Sequence, residues 1–402
     1  MRTSGDGRER TLRGAAAIVG VADEMSPTGV LDEHGRALEM SVVQQALDDA
    51  GLTLADVDGV AHASFGMATG LPEHLGIHPR YIDGTSVGGS SFELHVEHAA
   101  AAIAGGLCDV VLGVYAQTPR GDRARSKAGG GGGFGGRPPM MGPNPTADWE
   151  LPFGLRMPMG AYALAASRHM AQYGTTSEQL AQIAVDTRRW AALNPRARYQ
   201  DEITVDDVLD SPMQSSPLHL LDCCLVTDGA GAFVMTSADR ARDLAKPAVH
   251  VLGAASCSDH SMITQMPDLT TTAGAVSGPA AFAMAGLGPS DVDVLMGYDS
   301  FTITQLLHLE DLGFCAKGEG GAFVEGGTLG PGGALPSNTN GGGLSCTHPG
   351  QYGMFLIVEA VRQLRGECGP RQVEGARVAV AHGSGGVLST MGTLVLGTEE
   401  VL

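Results

Sequence analysis

A duplicated α/β fold is what this chain predicts, on three observations. Strand-like and helix-like segments alternate, the alternation runs twice, and short segments repeat at fixed spacings. Ala50-Gly51-Leu52 and Asp56-Val57-Asp58 recur as Ala285-Gly286-Leu287 and Asp291-Val292-Asp293, each 235 residues on (286 less 51, 291 less 56). Val96-Glu97 recurs as Val358-Glu359 at a spacing of 262 (358 less 96), with helix-like sequence after both. Such a repeat predicts two halves about a pseudo-two-fold axis, with largely parallel central strands. Carried back, the spacing of 262 lays His348 on Ser86.

In order, the apolar run 15–21 reads as a buried strand. Residues 38–50 space their apolar positions as a helix does, and Gly51 stands where a left-handed cap would stop it. Residues 57–64 read as the next strand, and 90–106 as an alanine-rich helix closed by Gly105-Gly106. The run 110–115 is apolar throughout, as a strand covered on both faces is. Residues 120–148 break the pattern with a glycine run at 129–133, Pro138-Pro139 and several basic residues, which predicts a long loop. Helices are predicted at 162–173 and 177–193, the second bounded by Ser177-Glu178 and Asn194-Pro195. Residues 226–236 read as a turn and strand, and 378–381 as a last apolar strand. The charged residues 1–13 are expected to fray.

The hydrophobic fraction of 43% supports a large core, and the net charge of −19 excludes nucleic acid as a general partner. An anionic ligand needs only a local basic patch or a helix N-terminus. Seven cysteines without a C-x-x-C pair predict a reducing, cytoplasmic setting and no metal site. Apolar runs reach only about ten residues, too short to span a bilayer, and no leader is expected.

The candidate centre of chemistry is Gly341-Gly342-Gly343-Leu344-Ser345-Cys346-Thr347-His348-Pro349-Gly350. Three glycines let backbone approach a ligand, and a histidine can move a proton near neutral pH. Pro349 suits the first turn of a helix whose core face would be 354–358. His348 is therefore predicted at a buried helix N-terminus, beside free N–H donors. A capped glycine turn with a structural histidine is the plain alternative. Separately, Gly84-Thr85-Ser86-Val87-Gly88 matches the G-x-S-x-G pattern of serine hydrolases, a fold that is not a repeated half.

The twofold layout, the Gly-Gly-Gly-Leu-Ser-x-x-His-Pro stretch, Tyr298-Asp299-Ser300-Phe301 and the segment 177–195 together resemble the thiolase superfamily. Within it they are most similar to the sterol carrier protein-x and lipid-transfer-protein group. The resemblance covers nearly the whole chain. It implies a five-layered (αβαβα) fold with an inserted loop domain, acyl-CoA thioester chemistry without a cofactor, and a site assembled from four loops. The implied divisions are 1–118 for the first half, 119–216 for the loop domain, 217–247 for a returning strand and 248–402 for the second half. Three departures stand out. Ser86 occupies the place of the family's nucleophilic cysteine, Tyr298-Asp299-Ser300-Phe301 replaces His-Asp-Cys-Phe, and Gly383-Ser384-Gly385-Gly386 replaces Cys-x-Gly. His348 alone remains of the usual reactive set. Ser300, Gly383 and Gly385 are the expected oxyanion-loop positions, and Gly342, Gly343, Arg188 and Arg189 the expected acyl-CoA contacts.

A serine needs an adjacent base where a thiol needs only a modest pKa shift, so a reaction without an acyl-enzyme is preferred. Cleavage of a β-hydroxyacyl-CoA is one. A base takes the β-hydroxyl proton, the Cα–Cβ bond breaks, and aimed donors hold the enolate oxygen. Tyr298 is expected to move the proton, His348 to hold the oxygen, and Tyr352 to supply a second phenol. The pattern is similar to the steroid side-chain-cleaving aldolases of this group, which release propionyl-CoA from a 17-hydroxy steroid acyl-CoA. That resemblance implies a homodimer flanked by small acyl-CoA-binding partners, each a zinc ribbon and an OB fold. Met140, Met141, Met157 and Met159 are candidates to shape an apolar pocket. The alternatives are a thiolase acting through Ser86 or Cys346 and a silent acyl-CoA-binding subunit.

Overall fold

The repeat is visible in the order of elements. In the computed structural model, which describes residues 12–64, 66–127 and 145–402, the first half runs β1 (Ala16–Glu24), α1 (Gly35–Ala50), β2 (Gly59–His62), α2 (Met67–Leu75), β3 (Tyr81–Asp83), α3 (Ser91–Ala104) and β4 (Val110–Gln117). A connecting region follows: α4 (Pro119–Lys127), α5 (Pro145–Trp149), α6 (Met159–Tyr173), α7 (Ser177–Ala192), α8 (Val205–Leu209), and the small sheet of β5 (Met213–Ser215) and β6 (Leu218–His219). The strand β7 (Gly229–Ser237) returns to the first half, and α9 (Ala238–Ala241) leads out of it. The second half is β8 (Val249–Ser258), α10 (Gly274–Ala285), β9 (Val294–Gly297), α11 (Thr302–Asp311), α12 (Gly320–Val324), α13 (Gly353–Leu364), β10 (Val378–Gly385) and β11 (Thr390–Gly397).

The nine-stranded sheet has the order β3-β2-β4-β7-β1-β8-β11-β10-β9. Apart from the extra edge strand β3, it reads alike outward from the β1/β8 seam. Each half holds two antiparallel pairings, β1–β7 and β7–β4 or β8–β11 and β11–β10, and one parallel pairing, β4–β2 or β10–β9. The expectation of largely parallel strands holds within each half, where only β7 or β11 is reversed against the others. The chain leaves β10 through a four-residue turn, and so short a link can only bring the next strand back antiparallel.

Helices α1 and α10 both end on a left-handed glycine, Gly51 at φ 68° and Gly286 at φ 65°. Each also rests on a strand glycine. A Cβ on Gly20 would strike the Ala46 carbonyl of α1, and one on Gly253 the Ala281 carbonyl of α10. Helices α3 and α13 begin at residues 91 and 353, again 262 apart. They share one buried cluster, where Phe92, Val96, Phe355 and Val358 meet Val111 and Phe233 of the first half and Val294 and Leu394 of the second. Helix α1 covers the outer face of the first half through Val42 and Leu47 against Val60 and Leu112. The outer face of the second is covered by α10 and α11, with α6 and α7 of the connecting region packed on them. Five layers result.

Residues 120–127 and 145–148, expected within a loop, belong to α4 and α5, and Pro119 starts α4 where its missing N–H costs nothing. The glycine run 129–133, Pro138-Pro139, Met140 and Met141, like the fraying expected of the first residues, lie outside the described residues. No helix among the described residues is long and apolar enough to cross a membrane.

Candidate active site

Tyr298 directly follows β9. Its N–H donates to the His382 carbonyl of β10 at 3.0 Å, continuing the ladder, and its ring enters the central helical layer. Gly89 admits that ring, since a Cβ there would collide with Tyr298 Cε2. His348 arrives from the other side, on a chain that is tied down atom by atom. The stretch Gly342–Cys346 forms a single π-type turn. Asp299 holds it, with Oδ1 accepting the Gly343 N–H at 2.7 Å and Oδ2 the Leu344 N–H at 3.2 Å. Asn340 Oδ1 accepts the Gly342 N–H at 2.9 Å, and Thr227 Oγ1 accepts the His348 N–H at 2.8 Å.

These restraints bring the Tyr298 hydroxyl to 3.0 Å from His348 Nε2, with the ring planes at 85°. The Tyr352 N–H donates to the same hydroxyl at 3.1 Å, leaving the phenol's own proton to be donated to Nε2. Tyr298 is 4% and His348 9% exposed. Burial pushes the phenol well above its ordinary range and the imidazole down to about 4. At neutral pH a neutral phenol therefore faces a neutral imidazole. Asp299 is fully buried, and burial raises its carboxyl to about 7 although two N–H groups favour the charged form.

The other expected residues fall in different places. Helix α13 begins at Gly353, not at Pro349, so His348 lies ahead of the helix. Pro349 is pinned outside it because its carbonyl accepts from the Tyr115 hydroxyl at 2.8 Å, the oxygen that also accepts the Gln351 N–H at 2.9 Å. Tyr352 turns its hydroxyl to Asn340 Oδ1 at 2.8 Å, so its part in the centre is its backbone N–H and not a second phenol. Gly342 and Gly343 spend their N–H groups on Asn340 and Asp299. Ser300 bonds Thr304 Oγ1 at 2.9 Å, one turn into α11. Gly383 and Gly385 serve close packing, because a Cβ on either would strike the Glu93 carboxyl or the Val87 carbonyl. Ser86 is exposed on the loop between β3 and α3. Cys346 is buried against Met25, and burial drives its thiol pKa far up, away from thiolate chemistry.

A cleft of about 520 Å³ adjoins the site. Its lining includes Thr227, which bonds His348, and Cys224, whose N–H donates to the Ser300 carbonyl at 3.0 Å. Arg120, Arg188, Arg198 and Tyr199 line it too, and the Arg198 guanidinium lies 4.5 Å from the Tyr199 ring centroid. Arg188 is largely committed to structure, with Nε on Ser345 Oγ at 2.8 Å and Nη1 on the Asp201 carbonyl at 3.1 Å. Arg189 is outside the cleft, facing Asp186 at 3.8 Å beside Gly330. Sequence reasoning missed Arg120, Arg198 and Tyr199; the basic and aromatic run Arg196-Ala197-Arg198-Tyr199 is the signal for the last two.

Residues 255–398 match the family model described as thiolase C-terminal domain-like. The chain is 38% identical to a steroid side-chain-cleaving aldolase of Thermomonospora curvata, over 97% of this chain and 99% of that protein. It is 37% identical to a 17-hydroxy-3-oxo-4-pregnene-20-carboxyl-CoA lyase of Mycobacterium tuberculosis (88% and 92% covered), and 35% identical to an acetyl-CoA acetyltransferase of Methanothermobacter thermautotrophicus (86% and 90%). The solved structure of an Ltp2-ChsH2(DUF35) aldolase superposes with a TM-score of 0.86 at 34% identity, over 96% of this chain and 99% of that one. With near-complete coverage on both sides and the five-layered fold in common, the chain belongs to the thiolase superfamily, in its sterol carrier protein-x and lipid-transfer-protein group.

Proposed function

We propose that this protein is a carbon–carbon lyase, a retro-aldolase that cleaves a β-hydroxyacyl-CoA of the 17-hydroxy steroid side-chain type to a ketone and propionyl-CoA. The observation that carries this reading is the buried Tyr298–His348 hydrogen bond; the serine expected at the family's nucleophile position, Ser86, is exposed on its loop. The relatives named as a steroid side-chain-cleaving aldolase and a 17-hydroxy steroid acyl-CoA lyase support the substrate class.

In the forward step Tyr298 takes the β-hydroxyl proton as its own proton moves to His348 Nε2. The electrons of the new alkoxide form the ketone C=O, the Cα–Cβ bond breaks, and its electron pair remains on the thioester as an enolate. His348, charged at that moment, offsets the enolate charge. The proton then returns through the phenol to Cα, so protons balance and no bond to the chain forms. The Tyr352 N–H, just ahead of α13, steadies the phenolic oxygen during both transfers. Arg120 and Arg198 supply the cleft with the charge that CoA phosphates need.

A homodimer with a small zinc-ribbon and OB-fold partner is the assembly proposed, supported by the pairing of Ltp2 with ChsH2(DUF35) in the solved relative. A cytoplasmic setting, no cofactor, and the loop-domain division at 119–216 complete the reading. The test is to incubate the chain, with and without that partner, with 3-hydroxyacyl-CoA and steroid acyl-CoA thioesters. Mass spectrometry should find propionyl-CoA and the ketone; neither product in either mixture would end the proposal. The acetyltransferase relative favours one second reading, acyl transfer through a covalent intermediate. A radiolabelled acyl group trapped on the chain would decide for it.

A further inference from the structure

Glu93 lies in the first turn of α3, 1% exposed, and neither carboxyl oxygen has a hydrogen-bond partner among the described residues. Buried carboxyls normally find donors, so two orphan oxygens call for a cause. Glycines from three elements make the room. A Cβ on Gly383 of β10 would collide with Oε2, one on Gly353 of α13 would lie 2.6 Å from the same oxygen, and one on Gly392 of β11 would lie 2.7 Å from the Glu93 Cβ. The slot adjoins the catalytic pair. Gly353 follows Tyr352, whose N–H holds the Tyr298 hydroxyl, and it packs on the carbonyl of Gly89, the residue against which the Tyr298 ring lies.

No cation among the described residues answers this carboxyl. The α13 side contributes Tyr352, and the end of β9 contributes Tyr298, both neutral phenols at neutral pH. The neighbours on β10 and β11 are glycines, and His382 of β10 is turned to the opposite face, bonded to Thr393 at 2.8 Å beside His308. On α3 itself, Ser90 donates to the Thr390 carbonyl at 3.0 Å and His95 is bonded to the Thr85 carbonyl at 2.9 Å.

We propose that Glu93 is a positioning residue for the Tyr298–His348 pair that works as a neutral acid, filling the glycine slot while protonated and opposing the reaction once ionised. The proposal rests on the retro-aldol reading. That reaction creates first an alkoxide and then an enolate beside Tyr298. A second, uncompensated carboxylate in the same dry volume would make each of them costlier. Burial without a counter-charge raises the Glu93 carboxyl to about 8, so it is neutral at pH 7 and ionises just above.

Glu93→Gln keeps the shape and cannot ionise. With the full chain and its partner, the alkaline limb of kcat/KM for steroid acyl-CoA cleavage should move up by about one pH unit or more in E93Q. A limb at the wild-type position would overturn the proposal. Stability provides the second reading. The native state keeps a proton that the unfolded chain gives up above the ordinary 4.5, so the wild type loses stability as pH climbs from there to about 8, and E93Q does not. The Tm of E93Q minus that of the wild type should therefore grow over that range; a constant difference would overturn the assignment of the proton. Should E93Q not fold, Glu93→Met, also neutral, replaces it. If the wild type cleaves no thioester, the reaction reading fails, while the Tm comparison still decides whether Glu93 is protonated.

Discussion

The two halves carry corresponding turns and use them in opposite ways. In the first, the loop before α3 leaves Ser86 exposed. The ties around Ser86 are short-range, from the Thr85 N–H to Asp83 Oδ1 at 2.8 Å and from the Val87 N–H to Ser91 Oγ at 3.0 Å, and a long-range one comes only at Ser90, on the Thr390 carbonyl at 3.0 Å. In the second, the turn before α13 is tied to distant parts of the fold, through Asp299 to the end of β9 and through Thr227 to the segment ahead of β7. A nucleophile must meet substrate and can sit on a turn that opens outward. A proton relay tolerates no such freedom, since its heavy atoms must stay near 3 Å apart. The contrast teaches that, in a duplicated scaffold, long-range ties can gather on one copy of a turn, here the copy that carries His348 and to which the proposed chemistry belongs.

Removing the relay should break that contrast most severely. Tyr298→Phe keeps the ring on Gly89 and deletes only the hydroxyl, so kcat for thioester cleavage should fall by about 10³-fold, with KM within about threefold. A variant retaining near wild-type kcat would mean that the turn carrying His348 is not where the proton moves. His348→Ala leaves the phenol without its acceptor and should cost about 10²-fold in kcat. Added imidazole should restore part of that loss, which a purely structural histidine would not allow.

The frame of this contrast is legible in the sequence, because repeated tripeptides at 235 residues and a helix pair at 262 are properties of the chain itself. Tyr298 and His348 are legible as types, through their positions in two family loops. Their meeting is not, since 50 residues separate them and only the β9–β10 register and a π turn bring them together. No periodicity announces that turn. The helix expected at Pro349 shows the same limit: Pro349 suits a first turn by its own geometry, but the Tyr115 hydroxyl, 234 residues away, holds it outside one. Glu93 is less legible still. A glutamate in an alanine-rich helix reads as surface, and the glycines that bury it belong to three separate elements. The one reversed strand of each half, β7 or β11, is hidden for a related reason, because strand direction depends on the length of connections and not on the strands.

A smaller effect tests what holds the turn that carries His348. Asp299 accepts two N–H bonds as a carboxylate, yet burial raises its carboxyl to about 7. Protonation below that value weakens its hold on Gly343 and Leu344, so the acid limb of kcat/KM should lie near pH 7. In Asp299→Asn one oxygen remains to accept one N–H. Activity at about pH 7.5 should drop about tenfold, and the acid limb should lose its dependence on this group. An acid limb that persists unmoved in D299N would assign it elsewhere.

The smallest effect is the sharpest test of the turn that carries Ser86. Ser86→Ala should change kcat by no more than about twofold, because Ser86 is exposed and the proposed steps make no bond to it. The reverse substitution asks more. Ser86→Cys puts a thiol where the family's nucleophile is expected, but a thiol there gains thiolate only if a base or helix terminus lowers its pKa. His348, the nearest candidate by the repeat, is held instead by the Tyr298 hydroxyl, and burial keeps it at about 4. S86C should therefore form no acyl-enzyme with a labelled 3-oxoacyl-CoA while retaining carbon–carbon cleavage. If label accumulates on the introduced thiol, the two turns still communicate as they do in a thiolase, and the division of labour between the halves is incomplete. If it does not, loss of the sulfur is only part of the change, and the phenol placed beside His348 is what moved this scaffold from acyl transfer to bond cleavage.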